Sequence, residues 1–296
     1  MPHVVTRPRA PVSVCAGRLT LHQIPAAHDN LIWLLADDAE KTAAAVDGPN
    51  AAGVLAYCEA HDLRLTTIFN THTHHDHIGI NVDLAARGQL AALRVVGARA
   101  RASEIPGLTE PVVDGDSVTF GGVPGRVMLT EGHIDGHVSY VFGEVLLCGD
   151  TMFAAGCGYL FDGPPAKMHD SLQRLAALPP ETLVCCAHEY TQDNLRFAWS
   201  IDPDNEALAR RIREVWDLRA RGECSVPSTI AVERETNPFL RATVPEIAAR
   251  LAAAMPDHDV STPAGAFAAA RALKDRKDYR RHEDADLPLA GTGERR

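Results

Sequence analysis

Apolar and polar positions along the chain fall into two kinds of pattern, and the change from one to the other divides it. Residues 18–25 and 30–36 read as strands joined by a polar turn, the second apolar throughout, as a strand covered on both faces would be. A turn at 46–49 leads to an alanine-rich helix over 50–61 and then to a strand over 63–69. The alternation continues with a helix near 81–88 and a short strand at 93–96. Residues 112–120 have a hairpin-like turn at Asp114-Gly115, 125–130 is another strand, and 139–148 reads as a hairpin folded at Gly143-Glu144. A strand at 182–186 closes this region. Mixed strands, turns and few helices predict an α/β unit of two sheets with helices outside. No glycine-rich nucleotide loop follows the first strand, which argues against a single doubly wound sheet.

Beyond residue 190 the pattern becomes helical. A long helical region over 192–221 is interrupted near Asp202-Pro203, an irregular crossing spans 222–229, and a turn falls at Asn237-Pro238. Two more helices are predicted at 244–255, with Pro245 near its first turn, and at 264–277. The chain therefore divides into residues 1–190, a catalytic α/β domain, and 191–296, a smaller helical substrate-binding domain. Residues 1–16, with three prolines, read as a loose leader, and 284–296 as a frayed tail.

Composition narrows the partners. With 296 residues, Lys+Arg 29 against Asp+Glu 39 gives a formal charge of −10, which argues against nucleic acid and anionic membrane as partners. No apolar run approaches a membrane span, and the first residues lack the apolar core of a signal peptide. Seven irregularly spaced cysteines without a C-x-x-C pair fit reduced thiols in a cytoplasmic protein, expected as a monomer or weak homodimer.

The fourteen histidines matter through their placement. His72-Thr73-His74-His75-Asp76-His77 packs an H-x-H-x-D-H pattern directly after the strand at 63–69. His72 and His74 point to one side of an extended backbone, while Asp76 and His77, entering a helix, can aim at a second point. His133, Asp150 and His188 each follow a later predicted strand, at the strand ends where open-sheet sites lie. His72, His74 and His133 would hold one divalent metal, Asp76, His77 and His188 a second, and Asp150 would bridge them. Nitrogen and oxygen donors without thiolate suit zinc, iron or manganese and do not choose among them; two divalent ions, zinc foremost, are expected. His137 is expected to support or pack beside the ligands, His75 to face away, and Cys148 and Cys157 to be buried bystanders. Two ions so held generate a hydroxide at neutral pH and polarise a carbonyl, which supports hydrolysis of an ester, thioester, lactam or phosphoester, with Asp76 and Asp150 at the catalytic centre. No serine nucleophile elbow competes with this reading.

These residues resemble the metallo-β-lactamase superfamily and, within it, the hydroxyacylglutathione hydrolase (glyoxalase II) family. The resemblance covers nearly the whole chain: Ile24-Pro25-Ala26, Asp29-Asn30-Leu31-Ile32-Trp33, Gly149-Asp150-Thr151, Gly156-Cys157-Gly158, His188-Glu189-Tyr190-Thr191, Val226-Pro227-Ser228-Thr229 and Asn237-Pro238-Phe239-Leu240-Arg241. It implies an αββα sandwich followed by a smaller α-helical C-terminal domain, a dinuclear centre and hydrolysis of S-D-lactoylglutathione to D-lactate and glutathione. It also implies that Tyr190, with Lys274 and Lys277 on one face of the last helix, binds the anionic glutathione thioester. Tyr159 stands where the family usually has lysine or arginine, Glu131 where it has proline and Ile134 where it has threonine. Those departures leave the metal set intact and bear on which thioester is preferred. The alternatives are a hydrolase of a non-glutathione thioester and an iron-dependent persulfide dioxygenase using His72, His133 and Asp150. The helical C-terminal region and the His-Glu-Tyr-Thr segment argue against the dioxygenase.

Overall fold

The computed structural model describes residues 3–281 and 283–289. A first sheet runs in sequence order through β1 (Val12–Val14), β2 (Leu19–Ala26), β3 (Asn30–Asp37), β4 (Thr42–Val46), β5 (Arg64–Phe69), β6 (Arg94–Ala98) and β7 (Glu110–Val112). Helices α1 (Ala52–Ala60) and α2 (Gly79–Ala86) join its parallel half, β4 to β6. The second sheet comprises β8 (Ser117–Phe120), β9 (Val123–Leu129), β10 (Val138–Phe142) and β11 (Val145–Gly149). A short hairpin of β12 (Met152–Phe153) and β13 (Gly156–Cys157) and helix α3 (Pro165–Ala176) follow, before β14 (Leu183–Cys186) pairs parallel to β11. Helices α4 (Thr191–Ile201) and α5 (Glu206–Ala220) come next, then β15 (Ser228–Thr229), which completes the second sheet at the edge of β14. Helices α6 (Ile230–Thr236), α7 (Pro245–Ala254) and α8 (Pro263–Asp275) complete the helical domain.

Strand β3 shows why the sandwich forms. Its eight residues are all buried, with Leu31, Trp33 and Leu35 facing the second sheet and Ile32, Leu34 and Ala36 facing α1 and α2. Between the sheets, Phe69 packs on Tyr140 and Phe142, with ring centroids 5.0 and 5.5 Å apart. Trp33 reaches across to the second sheet, its Nε1–H donating to the Cys186 carbonyl at 2.8 Å. Trp33→Ala is therefore expected to cost about 3–5 kcal/mol. Trp33→Phe, which keeps most of the burial and strands that carbonyl, should cost about 1–3 kcal/mol. Urea unfolding of the two variants tests the order.

Several expectations need correction. The stretch 112–120 is no hairpin: β7 closes the first sheet and β8 opens the second, so Asp114-Gly115 lies where the chain crosses between sheets. The hairpin is β8–β9, turning at Gly121-Gly122. The leader is anchored, because Val5 is buried and Thr6 N–H bonds the Gly222 carbonyl at 3.0 Å. Of the expected tail, Leu287 is buried beside α4 and α5, and Asp284 pairs with Arg196 at 2.6 Å. Residues 290–296 lie outside the described residues. Lys277 also does not share a helical face with Lys274: α8 ends at Asp275, and Lys277 lies beyond it with φ +59°.

Candidate metal centre

The loops after β5, β9, β11 and β14 leave the same end of the sandwich and bring seven side chains together. His74 Nδ1 lies 3.1 Å from His72 Nε2 and 3.0 Å from His133 Nε2. Beside this trio, Asp76 Oδ2 is 3.6 Å from His77 Nε2 and 3.4 Å from His188 Nε2. The Asp150 carboxylate stands between them: Oδ1 is 3.5 Å from both His77 Nε2 and His188 Nε2, and Oδ2 is 3.4 Å from His133 Nε2. Ligands about 2.0–2.1 Å from a tetrahedral ion are separated by roughly 3.3–3.4 Å, so these spacings match the edges of two coordination polyhedra sharing one carboxylate. His77 Nε2 and Asp150 Oδ1 are buried and accept or donate no hydrogen bond. Orphaned buried polar atoms are costly, and two that face each other among ring nitrogens are what a bound cation would satisfy.

The far ring nitrogens fix which lone pairs point inward. His77 Nδ1–H donates to Asp47 Oδ2 at 3.0 Å and His188 Nδ1–H to Asp29 Oδ1 at 2.9 Å. His133 Nδ1–H donates to the Tyr159 carbonyl at 2.7 Å, and His72 Nδ1–H to Thr71 Oγ1 at 3.0 Å, whose hydroxyl in turn donates to Asp47. Each leaves Nε2 free for a metal, the arrangement that raises ligand basicity. Asp47 could itself group with His72 and His77 as ligands, but its Oδ2 already accepts from His77, so it orients rather than ligates. Asp47 and Asp29 were not singled out from the sequence. Their signal is position: Asp47 directly follows β4 at the site end of the sheet, and Asp29 sits in the β2–β3 turn beside it. Asp47→Asn is expected to weaken zinc binding at the trio containing His77 by about 10–100-fold, read by competition with a chromophoric chelator.

Charge divides the two trios. Burial, reinforced by neighbouring imidazoles, holds His72 well below its ordinary range, and burial also lowers His74 and His133. For His77 and His188 burial acts in the same sense, but the carboxylates prevail: Asp150 and Asp47 raise His77, and Asp150, Asp29 and Asp76 push His188 up to about 9. Asp76 and Asp150 are held below the usual carboxylate range by these imidazoles despite burial.

The remaining expected residues are dispersed around this centre. His137 Nε2 accepts the Asp150 backbone N–H at 3.2 Å and its ring stacks 4.8 Å from His72, so it supports the loop. Glycine at 149, with φ +49°, makes that turn possible: a Cβ there would lie 2.3 Å from Thr71 Oγ1. His75 is almost fully exposed. Cys148 and Cys157 are buried and their thiols pushed up by burial, which removes them as nucleophiles. Tyr190 stacks on His188 with centroids 4.7 Å apart and hydrogen-bonds Asp29. Tyr159, 54% exposed, and Phe161, 60% exposed, form an aromatic rim, with Phe161 5.1 Å from the His74 ring. Lys277 is exposed, whereas Lys274 is buried, bonded to Asn194 Oδ1 and set over Phe197 and Phe239. Burial and the adjacent Arg271 pull its ammonium down to about 7.

A sandwich that presents clustered His and Asp ligands at one end defines a metallohydrolase of the metallo-β-lactamase superfamily, whose family model matches residues 38–188. The family model described as the hydroxyacylglutathione hydrolase C-terminus matches residues 189–277. The chain belongs to the hydroxyacylglutathione hydrolase family. It is 46% identical over 260 residues to the hydroxyacylglutathione hydrolase of Gloeobacter violaceus, covering 87% of this chain and 100% of that one. It is likewise 46% identical over 226 residues to that of Rhodospirillum rubrum, covering 76% and 87% of the two chains. Among solved structures, ETHE1 from Myxococcus xanthus aligns with a TM-score of 0.56 at 24% identity, covering 86% of this chain and 97% of that one, a likeness of fold alone.

Proposed function

We propose that the protein hydrolyses a glutathione thioester, S-D-lactoylglutathione in the first instance, to the free acid and glutathione. The observation that carries the reading is Asp150, whose two oxygens face two separate ligand trios. His72, His74 and His133 are assigned to one ion and Asp76, His77 and His188 to the other, with zinc the metal of choice for these donors. Two such ions would supply a nucleophile from water at neutral pH and polarise the thioester carbonyl. The chain's own residues do the rest. Asp150 and Asp76 set their negative charge among the histidine nitrogens, where it would hold the two ions, and Asp29 and Asp47 fix the imidazoles. A thiolate leaves without a strong general acid, so no further proton donor is required.

We assign residues 1–190 to catalysis and 191–296 to substrate binding, with the protein cytoplasmic and a monomer or weak homodimer. Among the described residues no helix is long and apolar enough to cross a membrane. Of the residues assigned to the tripeptide, Tyr159, Tyr190 and Lys277 present exposed groups, while Lys274 would have to leave Asn194 to reach it. Lys277→Ala is expected to raise KM for the glutathione thioester with kcat nearly unchanged, because binding remote from the carbonyl is uniform. Tyr159→Lys should lower KM by about tenfold or less, the scale of a partly exposed charged contact.

The test compares S-D-lactoylglutathione with a lactoyl thioester lacking the glutamyl and glycyl carboxylates, with metal analysis of the same sample. Preference for the first substrate with about two equivalents of metal supports the reading. Equal rates on both would assign the protein to another thioester. One iron with oxygen consumption on a glutathione persulfide would assign it to the dioxygenase class.

A further inference from the structure

The hairpin β12–β13 sits between Asp150 and Tyr159 in sequence, and four side chains of the helical domain bond to its backbone. Asn194 Nδ2 donates to the Ala154 carbonyl at 3.0 Å, and Asn237 Nδ2 donates to the Gly156 carbonyl at 2.9 Å. Arg271 reaches the Cys157 carbonyl at 3.3 Å. At the tip, Ala155 adopts φ +54°, and its N–H donates to Glu233 Oε2 at 2.8 Å. Glu233 is 1% exposed and accepts two further bonds, from Ser228 Oγ at 2.5 Å and Asn237 Nδ2 at 2.9 Å. A buried carboxylate gripping a left-handed alanine is an expensive way to close a two-residue turn.

What leaves this hairpin explains the arrangement. A Cβ at Gly158 would lie 2.1 Å from the Asp150 carbonyl, so the chain passes directly against the Asp150 backbone. One residue on, the Tyr159 carbonyl accepts His133 Nδ1–H at 2.7 Å, and Phe161 N–H donates to the His133 carbonyl at 2.9 Å. The segment issuing from the hairpin thus brackets His133 at ring and backbone, tied to the sandwich by Phe161 N–H and by Gly158 N–H, which donates to the Thr151 carbonyl at 3.3 Å, and to the helical domain through the hairpin itself.

We propose that Glu233 is a positioning residue for the metal centre: by pinning the Ala155 turn it sets the Tyr159 carbonyl, and through it the direction in which His133 Nε2 points. The helical domain thereby governs the geometry of the His72–His74–His133 trio as well as contributing to substrate binding. This rests on the assignment of His133 as a ligand. Displacement of the acceptor by a few tenths of an ångström tilts the imidazole away from the axis shared with His72 and His74, while the trio around His77 and His188 keeps its own carboxylates.

The test is stepwise zinc titration of the metal-free full chain against a chromophoric chelator, with the His133 ring N–H followed by NMR. Glu233→Asp, which retracts the carboxylate by one methylene, and Glu233→Ala are expected to weaken binding at the His72–His74–His133 trio about tenfold. The other trio should keep its affinity, the His133 ring N–H should exchange faster, and kcat should fall with KM unchanged. Glu233→Gln can accept from Ala155 and Asn237 through its carbonyl and donate to Ser228, and should restore affinity and the ring signal. Ser228→Ala controls for loss of stability, because it removes a bond on the far side of Glu233. A fall in Tm with wild-type affinity and ring exchange in Glu233→Asp would overturn the proposal, even if Glu233→Ala fails to fold. If His133→Ala retains both ions at full affinity, the ligand assignment itself is what fails.

Discussion

Asp150→Asn is expected to reduce kcat by about 10³-fold, roughly 4 kcal/mol of transition-state stabilisation, and to weaken zinc at both trios. The substitution conserves shape, so the fold and the backbone bond from Asp150 N–H to His137 should persist. What changes is charge and donor type. The carboxylate now offers Oδ1 to His77 and His188 and Oδ2 to His133. An amide can present oxygen to only one trio and must turn an NH₂ group toward the other, where it meets ring nitrogens and repels a cation. The negative charge that raises His77 and His188 is lost at the same time. Turnover assays paired with metal analysis check both parts. Near-normal rate with neither metal bound would contradict the mechanism, whereas loss of rate with both metals retained would confine Asp150 to orienting the water.

The metal loop and its downstream partners were legible in the sequence because their chemistry is carried by residue type and spacing. His-x-His after an apolar run has few other uses, and His133, Asp150 and His188, which the structure brings beside it, each follow a recognisable strand. The carboxylates behind the histidines were not legible, since Asp47 and Asp29 read as ordinary turn residues until the sheets place them against His77 and His188. Strand β4 was missed for a different reason: Thr42-Ala43-Ala44-Ala45-Val46 has the composition of a helix, and it is a strand because β3 and β5 pair on both sides of it. Helices α3 and α6 went unassigned, although α3 carries Met168, Leu172 and Leu175 at helical spacing. The 112–120 error is one of topology. Two short strands with a tight turn between them look the same whether they pair or part, and only the sheet order separates the cases. The three-residue spacing of Lys274 and Lys277 implies one helical face only while the helix continues, and the end of α8 between them undoes that geometry.

Metal loading is expected to be strongly pH-dependent at one trio and nearly flat at the other. A histidine must be neutral to bind a metal, so a metal competes with whatever proton the empty site holds. His72, His74 and His133 are lowered by burial and are already neutral at pH 7, so zinc there displaces no proton and its affinity should hold constant from pH 7 to 9. His188 is pushed up to about 9, so it carries an extra proton at pH 7 in the metal-free protein, and the carboxylates raise His77 in the same direction. Zinc at that trio should release at least the His188 proton at pH 7, and its affinity should rise by about tenfold or more per pH unit until the histidines titrate. Calorimetric titration in two buffers of different ionisation enthalpy measures the count directly. Stability of the metal-free protein runs the opposite way. Because His188 is raised on folding, its contribution is fully present below the unfolded value of about 6.5 and is lost as pH climbs through about 9. Between those limits the empty protein should weaken with pH while the loaded protein strengthens relative to it. Equal proton release at both trios, or none at either, would show that the carboxylates around His77 and His188 do not hold protons there, and would remove the expected difference in pH dependence between the two trios.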